Sequence, residues 1–217
     1  ADTSAMLEID ILCSDPQHPV NAWLENWCRR LGSHAQAEIL RDVSVLEGGD
    51  ILFLVSCHQI VTASDRAKYR HVLVLHASDL PAGRGMSPHI WQILEGKNDI
   101  VLTMLNAEDE LDSGDIWRQQ KIHFDGTELF DEINQKIFDA EIALMDWAVE
   151  NIDNATPRKQ SGEASYYKRR KPNDNHVNVD VTLAEIFNLL RVADPNRYPV
   201  FFEHLGCRYD IKIVKHR

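Results

Sequence analysis

The chain holds 217 residues, enough for one sizeable domain and a small appendage. With 34 acidic against 23 basic residues its net charge is −11, which disfavours broad nucleic-acid binding. Hydrophobic residues make up 44% of the chain, sufficient for a core, and no apolar run approaches membrane-spanning length.

Ala1 to Ala5 lacks both the basic start and the apolar stretch of a secretory leader. The four cysteines, Cys13, Cys28, Cys57 and Cys207, show neither CxxC nor Cys/His ligand spacing. No metal site and no disulfide framework are expected, and a reducing cytoplasm fits.

In chain order, Leu7 to Cys13 reads as a buried first strand, followed by a turn at Ser14-Asp15-Pro16. Val20 to Leu31 carries Trp23, Leu24, Trp27, Cys28 and Leu31 at helical spacing, more a core stripe than a ligand face. Glu38 to Leu40 is a short strand near an edge, and Ile51 to Val55 a continuous apolar strand of the kind buried on both faces. A short polar helix or turn at Ser64 to Tyr69 leads into the strand Val72 to Leu75. Pro88 to Leu94 is helical, Ile100 to Asn106 a strand, and Asp115 to Phe124 extended. Thr127 opens a long amphipathic helix that runs to about Asn151. From Asp153 to Asn178 the chain turns polar and loop-like; Leu183 to Val192 is a helix and Arg208 to Val214 a terminal strand.

This alternation predicts an α/β fold: a Rossmann-like core with a mostly parallel sheet over residues 1–152, and a linker with a small helix and strand appendage over 153–217. No GxGxxG follows the first strand, so a dinucleotide reading lacks its anion site.

Two strings carry chemistry. His76 ends an apolar strand and opens the turn-rich loop His76-Ala77-Ser78-Asp79-Leu80-Pro81-Ala82-Gly83-Arg84-Gly85; Leu111-Asp112-Ser113-Gly114-Asp115 follows the next strand. Ligands of open α/β sheets bind outside the carboxyl ends of the strands, which predicts an imidazole and a carboxylate on one rim. Such a pair can move protons while a neutral nucleophile attacks. Alone, each has a plainer reading, a satisfied histidine and a turn-forming aspartate.

Taken together, His76, Ser78, Leu80, Pro81 and Gly85, then Leu111, Asp112, Gly114 and Asp115, resemble the folate-dependent formyltransferase family. Ser87 to Gly96 is similar to the helix that the family places between its two motifs. Tyr166 to Asp174 and Arg191 to Pro199 are similar to segments of the sugar N-formyltransferases within it. The resemblance implies transfer of a formyl group from 10-formyltetrahydrofolate to the amine of a nucleotide-linked amino sugar, such as a 4-amino-4,6-dideoxy sugar, in surface-glycan biosynthesis. His76 and Asp112 would be catalytic. Ser56, Cys57, His58, Arg84, Gly85 and Asp115 would face the folate, and Ser78, Tyr167, Arg169, Arg170, Asn196 and Arg197 the acceptor. A homodimer, with contacts from the long helix and the apolar tail, is also implied.

One position departs from the pattern. The family's catalytic Asn lies two residues before the His, where this chain has Val74. Valine cannot polarise a formyl oxygen. The replacement is Asn106, His89, Ser56, His58 or the main chain, or else His76 and Asp112 suffice. Val74 also motivates a second reading, a folate-binding module with weakened catalysis; a further alternative is a formyltransferase for another amine such as an aminoacyl substrate.

Overall fold

The computed structural model describes residues 6–216; Ala1 to Ala5, read above for a leader, lies outside them. Six strands form the central sheet: β1 (Leu7–Leu12), β2 (Ala35–Leu40), β3 (Gly49–Leu54), β4 (Tyr69–His76), β6 (Asp99–Asn106) and β7 (Ile116–His123). Their order is β2-β1-β3-β4-β6-β7. The first four pair in parallel, while β6 runs antiparallel to both β4 and β7, so the sheet is mostly parallel as predicted.

β3 confirms the two-sided burial: Ile51, Leu52 and Phe53 are sealed from solvent. Leu73 and Leu75 of β4 join the main apolar cluster, whereas Val72 and Val74 belong to smaller ones on the other face. Helix α1 (Asn21–Arg30) sends Leu24 and Trp27 into the main cluster, and Trp27 meets Phe53 edge to face at 5.9 Å. The short helices α2 (Ala63–Arg66) and α3 (Pro88–Leu94) flank β4 in sequence.

The long helix α4 spans Phe130–Asn151, three residues later than the sequence suggests. Thr127 does not open it: its N–H and hydroxyl both donate to Asp125 Oδ1 in a separate turn. Glu128 is drawn instead into a buried ion pair with Arg191, 3.3 Å apart. Arg191 belongs to α5 (Leu183–Val192), which packs with the hairpin β9 (Val200–His204) and β10 (Cys207–Ile211) round Val177, Ile186, Leu190 and Val200. Val200 and Phe201 of the apolar tail are buried within the chain itself. Between α4 and α5 an irregular arm returns to the sheet, bridging Arg158 to Ile116 and pairing β8 (Tyr166–Tyr167) with β5 (Arg84–Gly85). Among the described residues no helix is long and apolar enough to cross a membrane. The four cysteines are free thiols, and burial raises the pKa of Cys13, Cys28 and Cys57.

Candidate active site

His76 is delivered as the last residue of β4 and is 7% exposed. Its Nε2 lies 2.7 Å from the carbonyl of Gly83. A carbonyl only accepts, so Nε2 carries the hydrogen and Nδ1 is left to face Asp112, whose Oδ2 is 3.6 Å away. That gap is too long for a direct hydrogen bond in this state. Asp112 is buried too, and its Oδ2 also accepts from the N–H of Gly85 at 2.9 Å.

The route by which Asp112 reaches the histidine differs from the expectation of a shared carboxyl-end rim. Because β6 is antiparallel, its last residue Asn106 pairs with Leu73, three residues before His76. The loop after β6 then doubles back, closed by Asn106 N–H donating to Asp115 O at 2.9 Å. Gly114 passes so close to the Asn106 carbonyl that any Cβ there would collide with it. Asp112 takes a left-handed φ of 54°, an unusual backbone for a residue with a side chain.

The motif loop is equally constrained. Thr103, opposite His76 in the β4–β6 ladder and fully buried, donates to Ser78 O at 2.7 Å. A Cβ on Gly85, at φ 108°, would strike the Tyr167 carbonyl. The arm seals this loop: Gly83 N–H donates to Ser165 Oγ at 2.8 Å, and Trp91 stacks on Tyr167 at 6.2 Å.

The environment of Val74 bears on the replacement donors. Val74 packs with Leu80, Leu105 and Ile116, all apolar. Asn106, paired with Leu73, shares the face of Leu73 rather than that of Val74, and its Oδ1 accepts from Trp117 Nε1 at 2.7 Å. Asn106 therefore does not replace the missing amide. Ser56, Cys57 and His58 follow β3, which pairs Leu54 with Val74, so they extend toward the rim that holds His76.

Four imidazoles gather on this rim. His89 interacts electrostatically with His18 and His76, and His18 with His58. Burial pushes His18 and His89 each down to about 4, so both are neutral at physiological pH. His18 was not singled out from the sequence; its place in the turn after β1 was the available signal.

Several charged residues assigned to ligands already have partners. Arg84 donates to Gln160 Oε1 at 2.9 Å and to the Tyr166 hydroxyl at 3.2 Å, so it braces the loop. Arg170 lies over the Trp91 ring at 5.1 Å and donates to Asn175 at 2.7 Å. Arg197 pairs with Asp15 at 2.8 Å, and Asn196 N–H donates to Asp194. Both sit in the turn after α5, which this ion pair ties to the loop after β1, whereas Tyr167 and Arg170 lie along the arm. Arg169 is exposed on the arm. Ser78 is 2% exposed, and its Oγ has no partner among the described residues. Sequence reasoning missed Gln160 and Thr103, whose bonds reach residues 16 to 76 positions away. Among the described residues no group of three or more His, Cys, Asp or Glu is disposed to hold a metal ion.

Comparison with known proteins bears on this geometry. A methionyl-tRNA formyltransferase of Thermodesulfovibrio yellowstonii is 29% identical over 146 residues, 65% of this chain and 46% of that protein. The chain spans about half the length of the curated relatives it matches. The fold is shared with HypX of Aquifex aeolicus, solved in complex with tetrahydrofolic acid (TM-score 0.81, 16% identity, 96% of this chain and 38% of that one). It is also shared with a sugar N-formyltransferase from a Shewanella species (TM-score 0.67, 15% identity, 98% of this chain and 99% of that one). The formyl transferase family model matches residues 14–149, which include β4, both motif loops, His76 and Asp112, and the chain belongs to that family.

Proposed function

We propose that this chain is an N-formyltransferase that moves a formyl group from 10-formyltetrahydrofolate to the amine of a nucleotide-linked amino sugar. The observation that carries the reading is the buried His76–Asp112 pair, held 3.6 Å apart between two strained loops. Family membership and the tetrahydrofolate complex of HypX support this donor.

The donor supplies an electrophilic formyl carbon. An acceptor amine is an ammonium at neutral pH and must lose a proton before it attacks. Asp112 receives that proton, directly or by way of His76 Nδ1, and the same pair returns a proton to the folate nitrogen as its bond to the formyl carbon breaks. The bond from Nε2 to Gly83 O fixes the ring tautomer, so Nδ1 is the atom that exchanges protons. His18 and His89, uncharged, place no repelling charge in the path of a cationic amine. With Val74 apolar, charge developing on the formyl oxygen must be met by the main chain, by Ser56, by a rim histidine or by His76 once Nδ1 holds a proton.

The net charge of −11 weighs against a tRNA acceptor. Arg169, exposed on the arm that carries β8 beside the motif loop, supports an acceptor bearing phosphates. A second reading, folate binding without turnover, is favoured by the apolar surroundings of Val74.

The test is tetrahydrofolate release from 10-formyltetrahydrofolate in the presence of a panel of nucleotide-linked amino sugars. Wild type should turn over with one of them, and His76→Ala should lose roughly 1000-fold. Turnover only with an aminoacyl amine would reassign the acceptor. Donor binding with no turnover on any amine would leave the second reading standing.

A further inference from the structure

We infer that Gln160 is a positioning residue that sets the geometry of the His76–Asp112 pair, an inference that rests on reading that pair as catalytic. Gln160 touches neither the imidazole nor the carboxylate. Its Nε2 donates to two main-chain carbonyls of the second motif, Asp112 O at 2.7 Å and Gly114 O at 2.9 Å. Its Oε1 accepts from Arg84 Nη2 of the first motif at 2.9 Å. Arg84 adjoins Gly85, whose N–H donates to Asp112 Oδ2 at 2.9 Å. One amide thus closes a ring of bonds through both motifs, with the Asp112 carboxylate on its far side.

Such a ring has a purpose at Asp112. A left-handed backbone at a residue with a side chain persists only where its surroundings hold it. The bonds from Gln160 fall on the carbonyl of Asp112 itself and on that of the glycine two residues later, and so fix two peptides on the C-terminal side of Asp112. The arm in turn fixes Gln160. Two residues before it, Arg158 and Ile116 exchange main-chain bonds of 2.8 and 2.7 Å. Five residues after it, Ser165 bonds Gly83 and Pro81. The chemistry selects glutamine over glutamate: the two groups facing Nε2 are carbonyls, which require N–H donors.

Two variants of the full chain test this. Gln160→Ala removes the ring, and Gln160→Glu keeps the contact to Arg84 but sets an acceptor against two carbonyls. Each should lower kcat by roughly 100-fold, the order of loss that a misplacement of about 1 Å produces. KM for the formyl donor should stay within about threefold, since uniform binding is untouched. A second readout needs no turnover: in histidine-labelled protein the His76 ring resonances should shift in both variants, while those of His34, on the opposite side of β1, stay in place. If wild type proves inactive on every acceptor, the proposed activity fails, yet the resonance shifts still decide the role of Gln160. Wild-type kcat in Gln160→Glu, or unmoved His76 resonances in either variant, would overturn it.

Discussion

In strand β3, Ile51, Leu52 and Phe53 are withdrawn from water on both faces, and nothing polar is needed to keep them there. In the loops round His76 and Asp112 the balance is reversed. Those segments run through left-handed backbones at Gly83, Gly85 and Asp112 and are held by bonds from Thr103, Ser165 and Gln160. The first region gains its stability from transfer of apolar area; the second spends directional bonds to hold a conformation it would not adopt alone. A substitution in one should therefore cost folding, and in the other catalysis.

The largest effect expected is on catalysis. Asp112→Asn keeps the side-chain shape and still accepts from Gly85, and asparagine tolerates a left-handed φ well. It cannot receive a proton. Formyl transfer should fall roughly 1000-fold, about 4 kcal/mol in the barrier, with the melting temperature unchanged. A melting temperature that dropped with activity would show that the loop contributes to stability and would erase the contrast.

Phe53→Ala is the counterpart in β3. Phe53 is fully buried and meets Trp27 edge to face. Its loss should cost about 4 kcal/mol in denaturant unfolding, while the folded fraction retains wild-type kcat. Lowered kcat per folded molecule would show that strain passes from β3 to its neighbour β4 and His76.

The same contrast governs what could be read in advance. A strand buried on both faces leaves an unbroken apolar run, so β3 was legible from Ile51 to Val55. The pair His76 and Asp112 was legible from local strings. The antiparallel course of β6 was not, because strand direction depends on where a connection returns, and no residue between Ser87 and Asn98 encodes it. The start of α4 was misplaced because Glu128 answers to Arg191, 63 residues away. Gln160 had no local signature, since its partners lie 46 to 76 residues distant.

Glu141 sharpens the comparison from the apolar side. It sits among the core-facing positions of α4, 8% exposed, and Oε2 has no partner among the described residues. Burial alone raises its pKa from 4.5 to about 8. The folded state therefore binds a proton that the unfolded chain releases. Stability from this group is full below pH 4.5 and is lost as the pH rises through about 8. Keeping the carboxyl protonated at pH 7 costs about 3 kcal/mol relative to that ordinary value. Glu141→Gln, neutral and of equal size, should stabilise the protein by up to that amount at pH 7 and by little at pH 4. Burial of His18 and His89 acts with the opposite sign: their contribution is full above pH 6.5 and is lost as the pH falls through about 4. Wild-type stability should therefore peak near pH 6.5, and in Glu141→Gln the fall above that pH should flatten while the rise between pH 4.5 and 6.5 steepens. Equal gains at both pH values would mean that Glu141 reaches solvent, and that the α4 side of the core is less dry than β3.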